Sequence, residues 1–218
     1  RAWASRRPAR LKTGRINAPG WSFNRRPIYQ TKLGEQVGTQ GPCYGPDFVR
    51  MEGPVDPEVK VLLISGADGE TMGGLVNFAC HCTVGLDEPL YSADYPGPLT
   101  ERMAARHGGV FGFIQGACGN IWQVDRSQDR PIIETGTLWT RRMGEALADK
   151  AEEALATARS VQGEHVRAAQ RVLRIPQRRV SHKHVEMARW YLERAPNDIE
   201  LEEYAQRIYP HAHTFYRD

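Results

Sequence analysis

Long hydrophobic runs are missing from this chain. None approaches the roughly 18 apolar residues that a membrane-spanning helix needs, so no membrane span is expected. The start is basic and has no apolar h-region, which excludes a signal-peptide reading of these first residues. Cysteine is scarce. Cys43, Cys80, Cys82 and Cys118 are too few and too unevenly spaced for a dense disulfide framework. A strong charge of one sign is missing as well. With 29 basic and 26 acidic residues the net charge is +3, so nucleic acid is not an expected partner. No internal repeat or low-complexity tract appears.

What is present is an ordinary globular composition. The chain has 218 residues, 40% hydrophobic and 25% charged, enough to bury a sizeable core. Arg1, Arg6, Arg7, Arg10, Lys12 and Arg15 crowd the start. They read as a solvated or poorly ordered arm, with contact to phosphate or anionic lipid as the alternative. The chain starts at Arg1 and stops just after a charged helical stretch, so both ends read as cuts through a longer protein. Oligomeric state is not legible.

The order of elements is α/β: a mixed β-sheet core with flanking helices. Residues 1–58 are rich in Gly, Pro and Arg and read as a loop-rich entry region with short strands. Residues 59–125 read as the buried core carrying the site. Residues 126–218 read as a helix-rich remainder of the same domain. Val59 to Ser65 and Gly74 to His81 form the expected hairpin, joined across Asp68-Gly69. The second strand is nearly continuous in small and apolar residues, which predicts a central strand covered on both faces. Asp94 is expected to cap a helix that has Pro96 in its first turn and ends at Gly108-Gly109. Val110 to Ile114 reads as another buried strand. Leu138, Met143, Ala146, Leu147, Ala151, Ala154 and Leu155 recur at helical spacing, predicting a long helix over 137–159. A strand is expected over 165–176, then amphipathic helices over 181–194 and 199–209.

Sites in such folds gather where strands end in loops of small residues. His81 closes an apolar run, where a neutral imidazole is either a rigid zinc ligand or a buried histidine satisfied by hydrogen bonds. Cys80 and Cys82 flank it but cannot share its face of a strand, so they read as small core fillers. Asp94 caps, or orients a metal-bound histidine, or does both. Ser92 has no nucleophile elbow around it. Gln115-Gly116-Ala117-Cys118-Gly119-Asn120 lets a ligand approach the backbone closely, and Gln115 and Asn120 can donate to a developing oxyanion. The alternative is a tight turn under a helix. Asn24-Arg25-Arg26 is either a clamp for a carboxylate or solvated surface. The pairs His182/His184 and His211/His213 read as surface residues, since i, i+2 positions do not share a helix face.

Taken in order, Asn24-Arg25-Arg26, Gly45-Pro46-Asp47-Phe48-Val49-Arg50, Gly53-Pro54-Val55-Asp56-Pro57-Glu58, Leu75 to Thr83, Ser92 to Gly97 and Gln115 to Asn120 resemble the N-terminal catalytic domain of the neutral/alkaline non-lysosomal ceramidase family. The likeness is to bacterial members of unassigned substrate, and by motif it covers residues 20 to 125. The resemblance implies a zinc-dependent amidase acting on an N-acyl bond, a small-molecule or lipid-like amide substrate, and a secreted or periplasmic setting. By it, Arg25 holds the reacting amide or acid and His81 ligates Zn²⁺. Asn24, Gln115 and Gly116 contact substrate, and Asn120 works beside Arg25. The family's serine-bearing Gly-Asp-x-Ser motif falls on Gly119-Asn120-Ile121-Trp122. Trp122 stands at the serine position, and an indole offers only an N–H donor. A zinc-activated water is therefore expected in place of a serine nucleophile. The alternative is an inactive binding domain on the same fold. The remaining zinc ligands are expected outside this chain, so the 218-residue chain alone is expected to be inactive.

Overall fold

The computed structural model describes residues 4, 6–31, 34–39, 41, 43–85, 91–127, 135–163 and 168–176, and beyond them 182, 185, 186, 189 and 193. In chain order the elements are β1 (Ala9–Asn17), β2 (Phe23–Asn24), β3 (Pro27–Thr31), β4 (Gly34–Val37), β5 (Phe48–Met51), β6 (Glu58–Gly66), β7 (Thr71–Phe78), α1 (Pro96–His107), β8 (Val110–Gln115), β9 (Ile121–Trp122), α2 (Thr137–Ala156) and β10 (Arg159–Ser160). The chain divides into two compact units, Arg1–Gln162 and Gly163–Asp218.

The first unit is a mixed α/β fold. Its main sheet has five strands in the order β10-β1-β6-β7-β8. β6 and β7 form the expected hairpin, with Leu62 opposite Leu75 and Lys60 opposite Asn77. Its turn closes through Gly66 N–H to the Glu70 carbonyl, with Gly69 at positive φ as Asp-Gly turns require. β7 and β8 are parallel, joined through α1. That parallel pair makes the ends of β7 and β8 open on the same edge of the sheet.

One face of the sheet is sealed by the two helices. Val59, Val61, Val76 and Phe78 meet Leu99 and Met103 of α1 and Met143, Leu147, Ala148, Ala151 and Ala154 of α2, all essentially buried. Burying each larger side chain contributes about 1.5–3 kcal/mol. The helices close tightly because α2 offers Gly144 at the crossing. A Cβ there would lie 2.5 Å from the Tyr95 carbonyl oxygen.

Several expectations need correction. The basic arm is half strand: Arg10, Lys12 and Arg15 stand on nine-residue β1, which pairs with β6 along its whole length. Their side chains are exposed, so the strand is held by its backbone ladder and not by an apolar pattern. β7 is central, but the helices cover only one of its faces; Thr71, Leu75 and Asn77 on the other are half-buried. β8 is an edge strand, with Val110 79% and Ile114 48% exposed. In the second unit, the described part of the expected strand, 168–176, has no strand, and Val172, Leu173 and Ile175 are exposed. An extended segment without a partner leaves its backbone groups unpaired and is not held as a strand. The edge beside β1 is filled instead by β10. His182, Val185, Glu186, Arg189 and Glu193 are helical, as expected, and exposed His182 pairs with Glu186 at 3.2 Å. The stretch 199–209 and the His211/His213 pair lie outside the described residues.

Candidate functional site

β7 ends at Phe78, so His81 lies on the loop just beyond the strand. Strand alternation no longer governs its neighbours there. Cys80 is fully buried, but Cys82 is exposed and is not the core filler expected.

The short segment around His81 is fixed from three directions. The Cys80 carbonyl accepts two hydrogen bonds, from the Tyr95 hydroxyl at 2.8 Å and from Gln115 Nε2 at 2.7 Å. Cys82 Sγ donates to Gln115 Oε1 at 3.0 Å. The imidazole itself lies 2.9 Å from the Ile121 carbonyl through Nδ1. A carbonyl can only accept, so Nδ1 carries a proton, and the nitrogen open to a metal is Nε2. Histidines that bind metals are commonly oriented by such a contact.

Why Ile121 is available follows from β-pairing. β2 and β9 form a two-stranded antiparallel ribbon with Phe23 opposite Trp122 and Asn24 opposite Ile121. Arg25 N–H continues the ladder to the Asn120 carbonyl at 2.8 Å. In such a ladder alternate residues turn their backbone groups toward and away from the partner strand. Ile121 is an outward one, and His81 takes its oxygen.

Side chains on the ribbon alternate in the same way. Ser22, Asn24, Ile121 and Gln123 are buried. Phe23, Arg25, Asn120 and Trp122 are on the other face and half-exposed. Asn24 anchors the ribbon, donating to the Gly53 carbonyl at 2.9 Å and accepting from Arg26 N–H. Arg26 pairs with Glu52 at 2.8 Å. Arg25 Nη2 donates to the Gly119 carbonyl at 3.1 Å. Gly116 is required by close packing: its N–H bonds the Phe78 carbonyl, and a Cβ there would sit 2.9 Å from that of Ala79.

The structure thus brings Asn24, Arg25, His81, Gln115, Gly116 and Asn120 into one neighbourhood. Asp94 occupies a different place in it. It has φ +54, a conformation in which Asp is over-represented among non-glycine residues. Its carboxylate accepts from Gly85 N–H and Tyr95 N–H, both at 2.8 Å, and its own N–H bonds Ser92 Oγ at 2.9 Å. Asp94 therefore ties the loop after His81 to the start of α1. Tyr95, not Asp94, is at the N-cap of that helix. Ser92 serves as a structural acceptor.

Two contributors escaped sequence reasoning. Tyr95 reads only as a residue beside Pro96, yet its fully buried ring stacks edge-on with Phe113 and its hydroxyl holds Cys80. Burial drives its phenol far above the ordinary range, so it stays a donor. Arg126 lies over the Trp122 ring at 4.9 Å. A signal for it exists in the alternation Asn120, Trp122 against Ile121, Gln123, which marks a two-faced strand leading to Arg126. Cys82 is exposed as a residue, but its sulfur is packed against Gln115 and Tyr95, and that local desolvation raises the thiol to about 11. Among the described residues no group of three or more His, Cys, Asp or Glu could hold a metal ion. His81 fits the part of one ligand, and the set is not completed by them.

No protein-family model matches the chain, and no curated protein sequence does. Solved structures do. A structure described as ceramidase complexed with C2 is similar with 26% identity and a TM-score of 0.54 over 75% of this chain. The neutral ceramidase from Pseudomonas aeruginosa matches with the same identity, TM-score and coverage. The chain spans 25% of the length of each. The chain has the fold of part of a neutral ceramidase, a mixed five-stranded sheet with two helices. No helix among the described residues is long and apolar enough to cross a membrane.

Proposed function

We propose that this chain is part of a zinc-dependent hydrolase of the neutral ceramidase type, cleaving an amide (N-acyl) or related acyl bond of a small or lipid-like substrate. The observation that carries the reading is the His81–Ile121 contact, which fixes the imidazole through Nδ1 and leaves Nε2 as the nitrogen that can meet a metal. Bound there with ligands from beyond this chain, a zinc ion supplies carbonyl polarisation and a lowered pKa for water. The chain's own residues do the positioning. His81 presents one nitrogen in a fixed direction. The Arg25 guanidinium orients the reacting amide or the acid released. The Asn120 amide donates to the oxygen on which negative charge develops. Gln115 and Gly116 hold the backbone against which the substrate lies, and Asp94 keeps the loop after His81 seated on α1. Trp122, at the serine position, offers only an N–H donor, so the reading takes zinc-activated water as the nucleophile.

The test is hydrolysis of a panel of N-acyl amides by the protein containing this chain, with zinc content measured alongside. Zinc-dependent turnover abolished in His81→Ala supports the assignment, and turnover unchanged in that variant refutes it. The 218-residue chain alone is expected to hold zinc weakly, because a site needs about three or four ligands. A second reading, a binding domain without catalysis, draws on Trp122 at the serine position. It predicts substrate binding by the zinc-loaded protein without turnover.

A further inference from the structure

The two residues that flank His81 are gripped by hydrogen bonds that close on one another. The Cys80 carbonyl, immediately before His81, accepts from the Tyr95 hydroxyl at 2.8 Å and from Gln115 Nε2 at 2.7 Å. Because a carbonyl only accepts, this contact turns the Gln115 amide so that Oε1 faces the other way. There Oε1 accepts from Cys82 Sγ, immediately after His81, at 3.0 Å. The Tyr95 phenol and the Cys82 thiol are also in hydrogen-bonding contact. The bonds thus form a ring through Tyr95, Cys80, Gln115 and Cys82, with His81 between the two gripped residues.

Both anchors of the ring are fixed elsewhere. Gln115 is the last residue of β8 and lies opposite Phe78 of β7. Tyr95 is fully buried, edge-on to Phe113, with its own N–H on Asp94 Oδ1 and its carbonyl accepting from Leu99 N–H. Its hydroxyl cannot follow the His81 segment if that segment moves. The Ile121 carbonyl sets the rotation of the imidazole, but it belongs to the ribbon, 40 residues away in the chain. The direction of Nε2 therefore depends on where residues 80–82 stand relative to the ribbon. For stability, Gln115 can cover for Tyr95 on the Cys80 carbonyl. For direction it cannot, because the peptide held by one donor can pivot about it.

We propose that Tyr95 and Cys82 are positioning residues for His81: with Gln115 they hold the peptide on both sides of it, so that Nε2 points to one place where a metal ion is met. The proposal rests on the zinc-hydrolase reading for the identity of the metal, but the placing of the imidazole does not need the metal.

Two measurements on the protein containing this chain test it. The first is zinc affinity, read by competition with a chromogenic chelator. Loss of a group that orients a metal-bound histidine costs about tenfold or more, so Y95F should bind zinc about tenfold more weakly, and C82A should be weakened as well. T100V is the control. It removes a hydroxyl bonded to the Pro96 and Gly97 carbonyls in the same helix, a comparable loss of stability, and should leave zinc affinity within about twofold of wild type. The second is the exchange of the His81 Nδ1 proton with water in the metal-free protein, followed by ¹⁵N-histidine NMR and assigned with H81Q. One lost hydrogen bond is worth about fivefold in a local opening equilibrium, so exchange should quicken about fivefold in Y95F. Zinc affinity in Y95F, or in C82A if Y95F does not fold, within about twofold of wild type overturns the proposal. An equal loss in T100V overturns it too, since that is a general loosening of α1. Wild-type protein that binds no zinc removes the hydrolase reading, and the exchange rate then decides: unchanged exchange in Y95F overturns the positioning role, and faster exchange upholds it.

Discussion

Replacing Gly144 with alanine tests how closely the two helices are seated beneath the histidine loop. By helix propensity alone the change is favourable: alanine in a helix interior gains about 1 kcal/mol over glycine. Packing says the opposite. A Cβ at this position would lie 2.5 Å from the Tyr95 carbonyl oxygen, 2.7 Å from Pro98 Cγ and 3.0 Å from Leu99 N. A carbon–oxygen contact relaxes at about 3.3 Å or more, so α1 and α2 must part by roughly 0.8 Å. Two of the three atoms are backbone and the third belongs to a ring, so no flexible side chain can absorb the shift. Leu99, Met103, Met143 and Leu147 are fully buried in the same interface and would lose contact. Overpacking of this kind costs about 1–3 kcal/mol, here at the upper end. The net expectation is a loss of about 2 kcal/mol, or a fall in Tm of about 4–8 °C for a chain of this size. Differential scanning calorimetry reads it directly. A Tm that stays level or rises would refute the close helix contact and return the decision to propensity. The displacement also pulls on Tyr95, so oxygen-to-carbonyl support for Cys80 should weaken in the same variant.

Other perturbations follow the same geometry. Tyr95→Phe should cost only about 1 kcal/mol in a urea melt, because the Cys80 carbonyl keeps its bond from Gln115; a loss above about 3 kcal/mol would mean that the hydroxyl has a role not described. Asp94→Ala removes acceptors from two backbone N–H groups and leaves a non-glycine residue at positive φ, so a loss of about 2–4 kcal/mol is expected. Asp94→Gly should lose less, since it relieves the backbone. The Gln123 amide is buried and neither of its polar atoms is bonded among the described residues, so Gln123→Met should raise stability by about 1–3 kcal/mol; a drop would show that the amide has a partner in solution. Burial raises the Cys43 thiol to about 11 from 9.0 and the Tyr29 phenol to about 12 from 10.0. Both groups are favoured neutral in the fold, so their contribution is intact below pH 9 and is lost as pH climbs through 11 to 12. Urea midpoints between pH 8 and 11 that fail to decline would contradict this.

The legible parts of the fold were those with local causes. The β6/β7 hairpin announces itself by two apolar runs and Asp68-Gly69. α1 ends where Gly108 and Gly109 take positive φ. The α2 stripe of Met143, Leu147, Ala151 and Ala154 is a 3.6-residue pattern that is buried as expected, while Leu138, read as part of the same stripe, is 85% exposed in the first turn. The illegible parts have distant causes. β1 has Arg10, Lys12 and Arg15 exposed and Gly14 against α2, so its strand character comes from the β6 edge. β2 and β9 are two residues each, far too short to show a period. Val110 to Ile114 looks buried by composition, but composition does not reveal which strand ends a sheet. At the site, the residue types of His81, Arg25 and Gln115 were readable, as was the composition of the loop. Their mutual placement was not, because the contacts from Tyr95 and Ile121 to the His81 segment depend on tertiary closure.

The bond from His81 to Ile121 joins the end of the central sheet to a ribbon whose two strands, Phe23–Asn24 and Ile121–Trp122, are far apart in the chain. Contacts between such distant segments form late, after the loop between them has been closed. Until then the imidazole has no carbonyl to fix its proton, and both tautomers are open to it. The position of one proton on one ring thus reports whether the ribbon is closed: Nε2 keeps its lone pair in one fixed direction only while the Ile121 carbonyl is in place. In a ¹⁵N spectrum of the imidazole, refolding should end with that single tautomer, arriving after the helical signal is complete.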